Sequence, residues 1–387
     1  MSDSIHADAR VTFRVSARRF EQSPFQHRWL NDDTVMGVYA GRYYATSSGE
    51  DVEASYWSLR RAAVLYDVPE RPVEISGRDA ARFLDHVFSR RVADMEEGRA
   101  RYAIACTSDG RLFMDGVLFR LGAERFWYVQ PDGALETWLL AHSPGFDVAV
   151  TDPHARVLQV QGPRSLRILA AATDGALDER LGYFRASFAT IGGQDVYVSR
   201  TGWTGEMGFE IYTLGDATDA DRVWDRLLEA GEPHGMVFGS LASMEIRRIE
   251  AGILDNGTDF DLSMTPFDAG LGAFIDLDKP AFLGRDALLA AGRQKRLFGL
   301  RCPGGTPGYG AAITSGGDHV GHVTAGAWSP FLGCGIGYAR LDEAGDWAGR
   351  ALTVHAADGT AMPCEILDLP FYDAEKRIPR GLATDPV

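Results

Sequence analysis

The sequence predicts two α+β units followed by an all-β unit, and three observations carry that expectation. A strand–turn–helix pattern occurs twice, around Gly77 and around Gly162. Between them, "RYAIACTSDGRLFMDGVLFRLGAERFWYVQPDG" alternates apolar and polar residues with period two, the mark of half-buried strands. After Gly292 the composition turns glycine-dense and strand-like, which marks a separate β unit. A chain of 387 residues is in any case too long for one ordinary core.

Taken in order, helical spacing first appears in "EDVEASYWSLRRAAVLYDV", which reads as one helix from Glu50 to Val68. "RPVEISGRDAARFLDHVFS" gives a short strand, a turn at Gly77 and a helix from about Arg78. The alternating run that follows is a meander, with turns at Asp109-Gly110 and Gly122-Ala123, and "GALETWLLAHS" closes the unit as a helix. "RVLQVQGPRSLRILAAA" repeats strand, Gly-Pro turn and helix. "GQDVYVSRTGWTGEMGFEIYT" is a strand pair, and "DADRVWDRLLEAG" and "LASMEIRRIEAGI" are helices.

Bulk properties exclude several classes. The net charge of −15 repels a polyphosphate backbone, so nucleic acid is not an expected partner, although a small anion in a local basic pocket remains compatible. No apolar run is long enough to span a bilayer. "MSDSIHADARVTFRV" lacks the charged start and apolar middle of a signal peptide, so a cytoplasmic location is expected. Cys106, Cys302, Cys334 and Cys364 are scattered without a C-x-x-C pair, which argues against zinc or a disulfide framework. His319 and His322 have a metal-like spacing but no neighbouring Cys or acid ligands, and no metal is expected.

The stretch "SRTGWTGEMGFEIYT", Ser199 to Thr213, is the most informative. It is no phosphate loop. A Walker loop needs a lysine, a dinucleotide fingerprint opens a helix, and this run opens a strand and carries two acids. Two arrangements satisfy it. One is a hairpin whose glycines meet tight turns while Trp203 packs in the core. The other is a platform for a flat heterocycle, with Trp203 at the ring, glycines allowing approach, and Glu210 accepting two parallel donors. A 2-amino-4-oxo ring such as guanine or a pterin offers those donors. A buried, unpaired Glu210 would be costly, which favours a partner.

"SRTGWTGEMGFEIY" resembles the signature of the folate-dependent T-protein (aminomethyltransferase) family. So, in the family's order, do "GRARYAIACTSDGRLFMDGVLF", "LQVQGPRSLRIL", "IRRIEAGILDNGTDFD", "DKPAFLGRDAL", "SPFLGCGIGYARL" and "LPFYD". The resemblance runs from about Glu53 to Tyr372. It implies an α+β fold of three domains around a central channel for tetrahydrofolate. These would be a discontinuous folate-binding domain (1–70 plus 155–290), a second α+β domain (71–154), and a C-terminal antiparallel barrel or jelly-roll-like domain (291–387). It places Asp115 beside the reacting folate nitrogen, with Met114 where the family has another acid. It places Tyr102 and Trp203 against the pterin, and Glu210 as the pterin-gripping carboxylate. Left to the residues themselves, Tyr102 and Trp203 are equally core aromatics, and Asp115 a strand-end acid.

Departures from the family pattern set the expected branch. "YDVPERPVEI" stands where D-V-S-H-M is usual, and Met244 stands where an arginine is usual. The N-terminal half looks closer to folate-dependent demethylases, including dimethylsulfoniopropionate and aryl O-demethylases. The resemblance therefore implies a transferase moving a methyl group from a small S-, O- or N-methyl donor to N5 of tetrahydrofolate, the methyl acceptor. A lipoyl carrier protein is not the expected partner. Tyr39 is the candidate at the leaving-group end, in an aromatic segment (Tyr39, Tyr43, Tyr44, Trp57) suited to a cationic methyl group or an arene, or equally to a packed surface loop. The alternatives are aminomethyl transfer of glycine-cleavage type and a non-catalytic folate-binding relative. The latter's late cysteine motif is absent from "FLGRDAL" and its surroundings.

Overall fold

The computed structural model describes residues 19–383, so the N-terminal stretch weighed above as a leader lies outside the described residues. A six-stranded sheet runs in the order Ala186–Ile191, Gln194–Ser199, Gly208–Thr213, Val157–Gln161, Ala63–Val68, Met236–Phe238, antiparallel except for its last pair. A five-stranded antiparallel sheet follows the order Ala100–Cys106, Leu112–Gly122, Arg125–Gln130, Arg71–Ser76, Ala149–Thr151. The strands between Leu297 and Leu367 close into a six-stranded antiparallel barrel, so of the two expected forms the barrel is the one observed.

One expected element divides in two. The helix read from Glu50 to Val68 is helix Val52–Arg61 followed by strand Ala63–Val68. Asp51 caps the helix start by accepting from the Ala54 N–H at 3.0 Å, and Ala62 leaves helical geometry at φ −131°, ψ −109°. "AVLYDV" then lies inside the six-stranded sheet, between Val157–Gln161 and the short edge strand Met236–Phe238, with Ala63 to Tyr66 buried. A strand covered on both faces shows an unbroken apolar run, and that run continues a helical pattern without a visible break.

Strand alternation sorts the side chains of both sheets. On Gly208–Thr213, Phe209 and Ile211 join a core under helices Ser165–Ala172 and Ala220–Gly231, with Leu169, Val223 and Leu227. Glu210 and Tyr212 therefore face the other way, toward the five-stranded sheet. There, Phe119 and Trp127 pack against Tyr197 and Tyr212, while Met114 and Leu118 turn into that sheet's own core. The two sheets thus meet face to face.

The four cysteines are buried and free. Although far apart in sequence, Cys302 and Cys364 lie on neighbouring barrel strands and share the barrel's core. His319 pairs with Asp342 at 3.1 Å. Among the described residues no group of three His, Cys, Asp or Glu is placed to hold a metal ion, and no helix is long and apolar enough to cross a membrane.

A buried charge network binds these parts together. Arg247, on helix Leu241–Glu250, donates to Glu206 at 2.8 Å and to the Gly205 carbonyl at 3.1 Å. Arg60 reaches the same Glu206 at 3.3 Å. Glu250 accepts from Tyr56 at 2.7 Å, from barrel residue Ser329 at 2.5 Å and from Tyr372. All four charged groups are 5% exposed or less. Removing one partner of a buried set leaves the opposite charge desolvated, a cost of about 3–5 kcal/mol. Arg247→Leu is expected to destabilise the fold by that amount in urea or thermal unfolding; a loss under about 1 kcal/mol would show the network to be dispensable.

Candidate active site

Asp115 projects from the middle of strand Leu112–Gly122 on the face it shares with Val117 and Phe119, toward the six-stranded sheet. Tyr102, on the adjacent strand, donates its hydroxyl to Asp115 Oδ2 at 2.7 Å. Asn256 Nδ2 approaches Asp115 Oδ1 at 3.4 Å. Its neighbour Asp255 accepts from the Tyr39 hydroxyl at 3.3 Å and from Thr258 at 2.7 Å. Tyr39–Asp255 and Asn256–Asp115–Tyr102 therefore form two hydrogen-bonded sets joined in series by the adjacency of Asp255 and Asn256 in the chain. An open cleft of about 480 Å³, lined by Met114, Asp132, Gly133, Asn256, Asp261 and Ser263 among others, borders Asn256.

The carboxyls of this series are reluctant to ionise. Burial, with the nearby Asp255 charge, pushes Asp115 up to about 6 against the hydrogen bonds from Tyr102 and Asn256. Burial likewise lifts Asp255 to about 6, opposed by Arg248. Tyr39 is held well above its ordinary value by burial and then by Asp255 and Glu70. Tyr44, whose ring meets Tyr39 edge-on at 6.4 Å, is raised by burial, Asp255 and Glu245.

Glu210 lies across the interface. Its Oε2 accepts from Thr201 at 2.6 Å, Tyr212 at 2.5 Å and Ser199 at 3.4 Å, while Oε1 accepts no hydrogen bond among the described residues. Burial pushes its pKa up. Glu70, two residues beyond the end of strand Ala63–Val68, is raised to about 8 by burial and then by Glu210. Its Oε2 is buried without a partner, as is Oε1 of Gln159. Trp203 packs against a buried cluster of Leu59, Val64, Tyr66 and Met244, and its ring lies 5.2 Å from the Arg248 guanidinium. Arg248 is committed to Asp259 at 2.5 Å and to Glu245.

The glycines around Trp203 serve the loop itself rather than an approaching ring. A Cβ on Gly202 or Gly208 would meet the Gln161 amide at 2.2 Å. That amide donates to the Thr201 carbonyl at 3.2 Å and accepts from Thr204 at 2.8 Å. The bare glycines therefore leave room for the side chain that pins the loop. The neighbouring Glu206 is spent on Arg247.

The structure brings Tyr39, Tyr102 and Asp115 together through the adjacent residues Asp255 and Asn256, whereas Glu210 sits in a separate hydroxyl cluster on the facing sheet and Trp203 lies against Arg248. It divides the N-terminal aromatic segment. Tyr44 joins the site, but Tyr43 meets Phe20 edge-on at 5.6 Å, and Trp57 lies under Arg61 and donates to Glu53. Asp255, Asn256, Glu70 and Gln159 were missed. Asp255 and Asn256 sit in "LDNG", which reads as an ordinary turn, and Glu70 in the very stretch that departs from the family pattern. Met114, standing where an acid is usual, turns into the core and supplies no charge.

Residues 32–279 match the family model described as the GCVT N-terminal domain, and residues 295–373 the one described as the glycine cleavage T-protein C-terminal barrel domain. The aminomethyltransferase of Streptomyces avermitilis is 35% identical over 364 residues, covering 90% of this chain and 96% of that protein. The aminomethyltransferase of Halothermothrix orenii is 32% identical, covering 81% and 89%. The trimethylamine-oxide aldolase of Ruegeria pomeroyi is 33% identical across 96% of this chain but 49% of its own length. The crystal structure of glycine cleavage system aminomethyltransferase T from Bartonella henselae shares the fold at a TM-score of 0.81, with 24% identity over 91% of this chain and 98% of that one.

A carboxyl whose folded pKa is raised adds stability below its unfolded value and loses it as pH climbs to the folded value. For Glu70 that window runs from about 4.5 to about 8, with a slope of up to about 1.4 kcal/mol per pH unit. The melting temperature of Glu70→Gln is expected to fall less steeply than wild type between pH 5 and 8; parallel curves would mean that Glu70 is not held protonated. Asp115→Asn should likewise stabilise the fold at pH 7, by up to about 3 kcal/mol, as judged by denaturant titration.

Proposed function

The chain belongs to the glycine cleavage T-protein family, and on that footing we propose that it is a tetrahydrofolate-dependent one-carbon transferase whose donor carries the transferred carbon on a nitrogen. The observation that carries the reading is Glu210: a buried carboxylate with one oxygen free, facing the sheet that carries Tyr102 and Asp115. A free acceptor walled by aromatic side chains suits the N–H edge of a pterin. When bound, the folate supplies a nucleophilic N5 that takes up the one-carbon unit.

The chain's own groups divide the remaining work. Glu210 fixes the ring edge, and Trp203 and Tyr102 limit its tilt. Asp115, held by Tyr102 and Asn256, presents an oriented carboxylate at the reacting end, where alignment supplies most of the rate. At the donor end, Tyr39 and Tyr44 lie in the field of Asp255, with Glu245 and Asp132 near Tyr44. Arg248, the guanidinium that opposes Asp255, is already paired with Asp259 and Glu245. Such a lining attracts a cationic nitrogen or its methyl group and offers a neutral aryl ether nothing comparable.

Aminomethyl transfer is the leading reading, supported by relatives of that name aligned over nearly their whole length. Demethylation, which the sequence departures favour, is the second. Met244 supports it, being buried among Leu59, Val64 and Tyr66 where the family pattern carries an arginine, as does a relative named for trimethylamine oxide.

Calorimetry should show tetrahydrofolate binding, and its absence would end both readings. Incubation with tetrahydrofolate and either an aminomethyl donor (carrier-bound or free) or an N-methylamine separates them. Aminomethyl transfer yields 5,10-methylenetetrahydrofolate and ammonia, and demethylation yields 5-methyltetrahydrofolate, distinguishable by absorbance and mass. Asp115→Asn is expected to lower turnover at least 100-fold, on the order of general acid–base or positioning effects, while folate binding changes less than threefold. With Asp115 and Asp255 near 6, kcat/KM for a cationic donor should fall as pH drops through about 6.

A further inference from the structure

We infer that Gln159 is a second recognition group for the folate ring, reading the atom next to the N–H edge taken by Glu210. The inference rests on the folate reading above. Ser199, Glu210, Gln159 and Tyr66 are directly opposed across four neighbouring strands, so their side chains form one row on one face. Ser199 bonds Glu210, and Tyr66 bonds Ser243 at 3.0 Å. Gln159 alone in the row makes no side-chain hydrogen bond among the described residues, although it is 1% exposed and its Oε1 is buried. Two residues along the same strand and face, Gln161 has both ends of its amide satisfied.

An unpaired buried amide weakens a fold, so its presence needs a partner from outside. Glu210 shows what that partner lacks. With Oε2 saturated by three hydroxyl donors, Glu210 offers a single oxygen and cannot grip two parallel N–H groups by itself. A 2-amino-4-oxo ring places a carbonyl and ring nitrogens beside its N–H donors, and an amide supplies either a donor or an acceptor to them. Gln159, adjacent to Glu210 in the row, stands where that second contact falls.

The test is the affinity of the full chain for tetrahydrofolate by calorimetry, with the melting temperature measured without ligand. Wild type, Gln159→Leu, Gln159→Met and Glu210→Gln are compared. Gln159→Leu or Gln159→Met should weaken binding tenfold or more while leaving the ligand-free melting temperature unchanged or higher, because an orphaned amide has been replaced by an apolar group of similar size. Binding within twofold of wild type in both variants, or a melting temperature lowered by several degrees, overturns the inference. If Glu210→Gln weakens binding and the Gln159 variants do not, only the role of Gln159 fails. If wild type does not bind tetrahydrofolate, the folate reading fails, and this inference with it.

Discussion

Helix Leu241–Glu250 carries two adjacent arginines, and the positions of the site's walls depend on where they are anchored. Arg247 and Glu250 tie the loop of Glu206, helix Val52–Arg61 and the barrel residues Ser329 and Tyr372 into one buried network. Arg248, one residue on, pairs with Asp259, whose other oxygen accepts from barrel residue Thr324 at 2.8 Å, and whose Oδ2 also accepts from the Asp255 N–H at 2.8 Å. Tyr338 of the barrel closes the arrangement by donating toward the carbonyls of Arg248, Ile249 and Ile253. Charges this deeply buried persist only when each is paired, so the geometry is specified closely.

That rigidity is what the chemistry of the proposed reaction requires. Asp255 holds Tyr39, and Asn256 leans on Asp115, both because the Asp255–Asp259 turn is pinned by Arg248. Trp203 lies against the same guanidinium. The Asp255–Asp259 turn and Trp203, the donor end and ring wall of the proposed reaction, are therefore indexed to a single side chain, although they come from segments far apart in sequence. The strain is electrostatic: Asp115, Asp255, Glu70 and Glu210 are carboxyls kept in a dry environment that raises each pKa. Groups arranged so are expensive to the fold and useful at a reacting centre.

Most of the fold was legible in the sequence, because its signals are local. Period-two alternation gave the meander, Gly77 and Gly162 gave the turns, and the composition shift after Gly292 gave an all-β unit, whose barrel form only the family resemblance implied. The miss at Ala63–Val68 has a physical cause, since a strand buried on both faces loses the alternation that identifies it. The site was legible in part. Glu210 stood out because an acid inside "GFEIY" has no cheap home, and Asp115 because of its place in a resembling motif. Gln159, Glu70 and Asp255 did not stand out, because nothing local distinguishes a glutamine with partners from one without. Gln161 and Gln159 share a strand and a face, and only the loop of Thr201 and Thr204 folding over one of them makes the difference.

The same comparison corrects the first impression of "SRTGWTGEMGFEIYT". Its glycines, which suggest a ring coming close, are explained by the Gln161 amide, and Glu206 by Arg247. On the folate reading proposed above, what the stretch contributes to ligand recognition is narrower: the face of Trp203 and one oxygen of Glu210. A recognition surface this sparse cannot discriminate a pterin by itself, since a single acceptor beside an aromatic wall fits many heterocycles. Specificity must therefore be completed by groups on neighbouring strands. Among the buried polar atoms without a partner there, those of Gln159, directly opposite Glu210, and of Glu70, whose carboxyl is raised by Glu210, are the candidates to complete it, beside the Tyr197 hydroxyl on the same face.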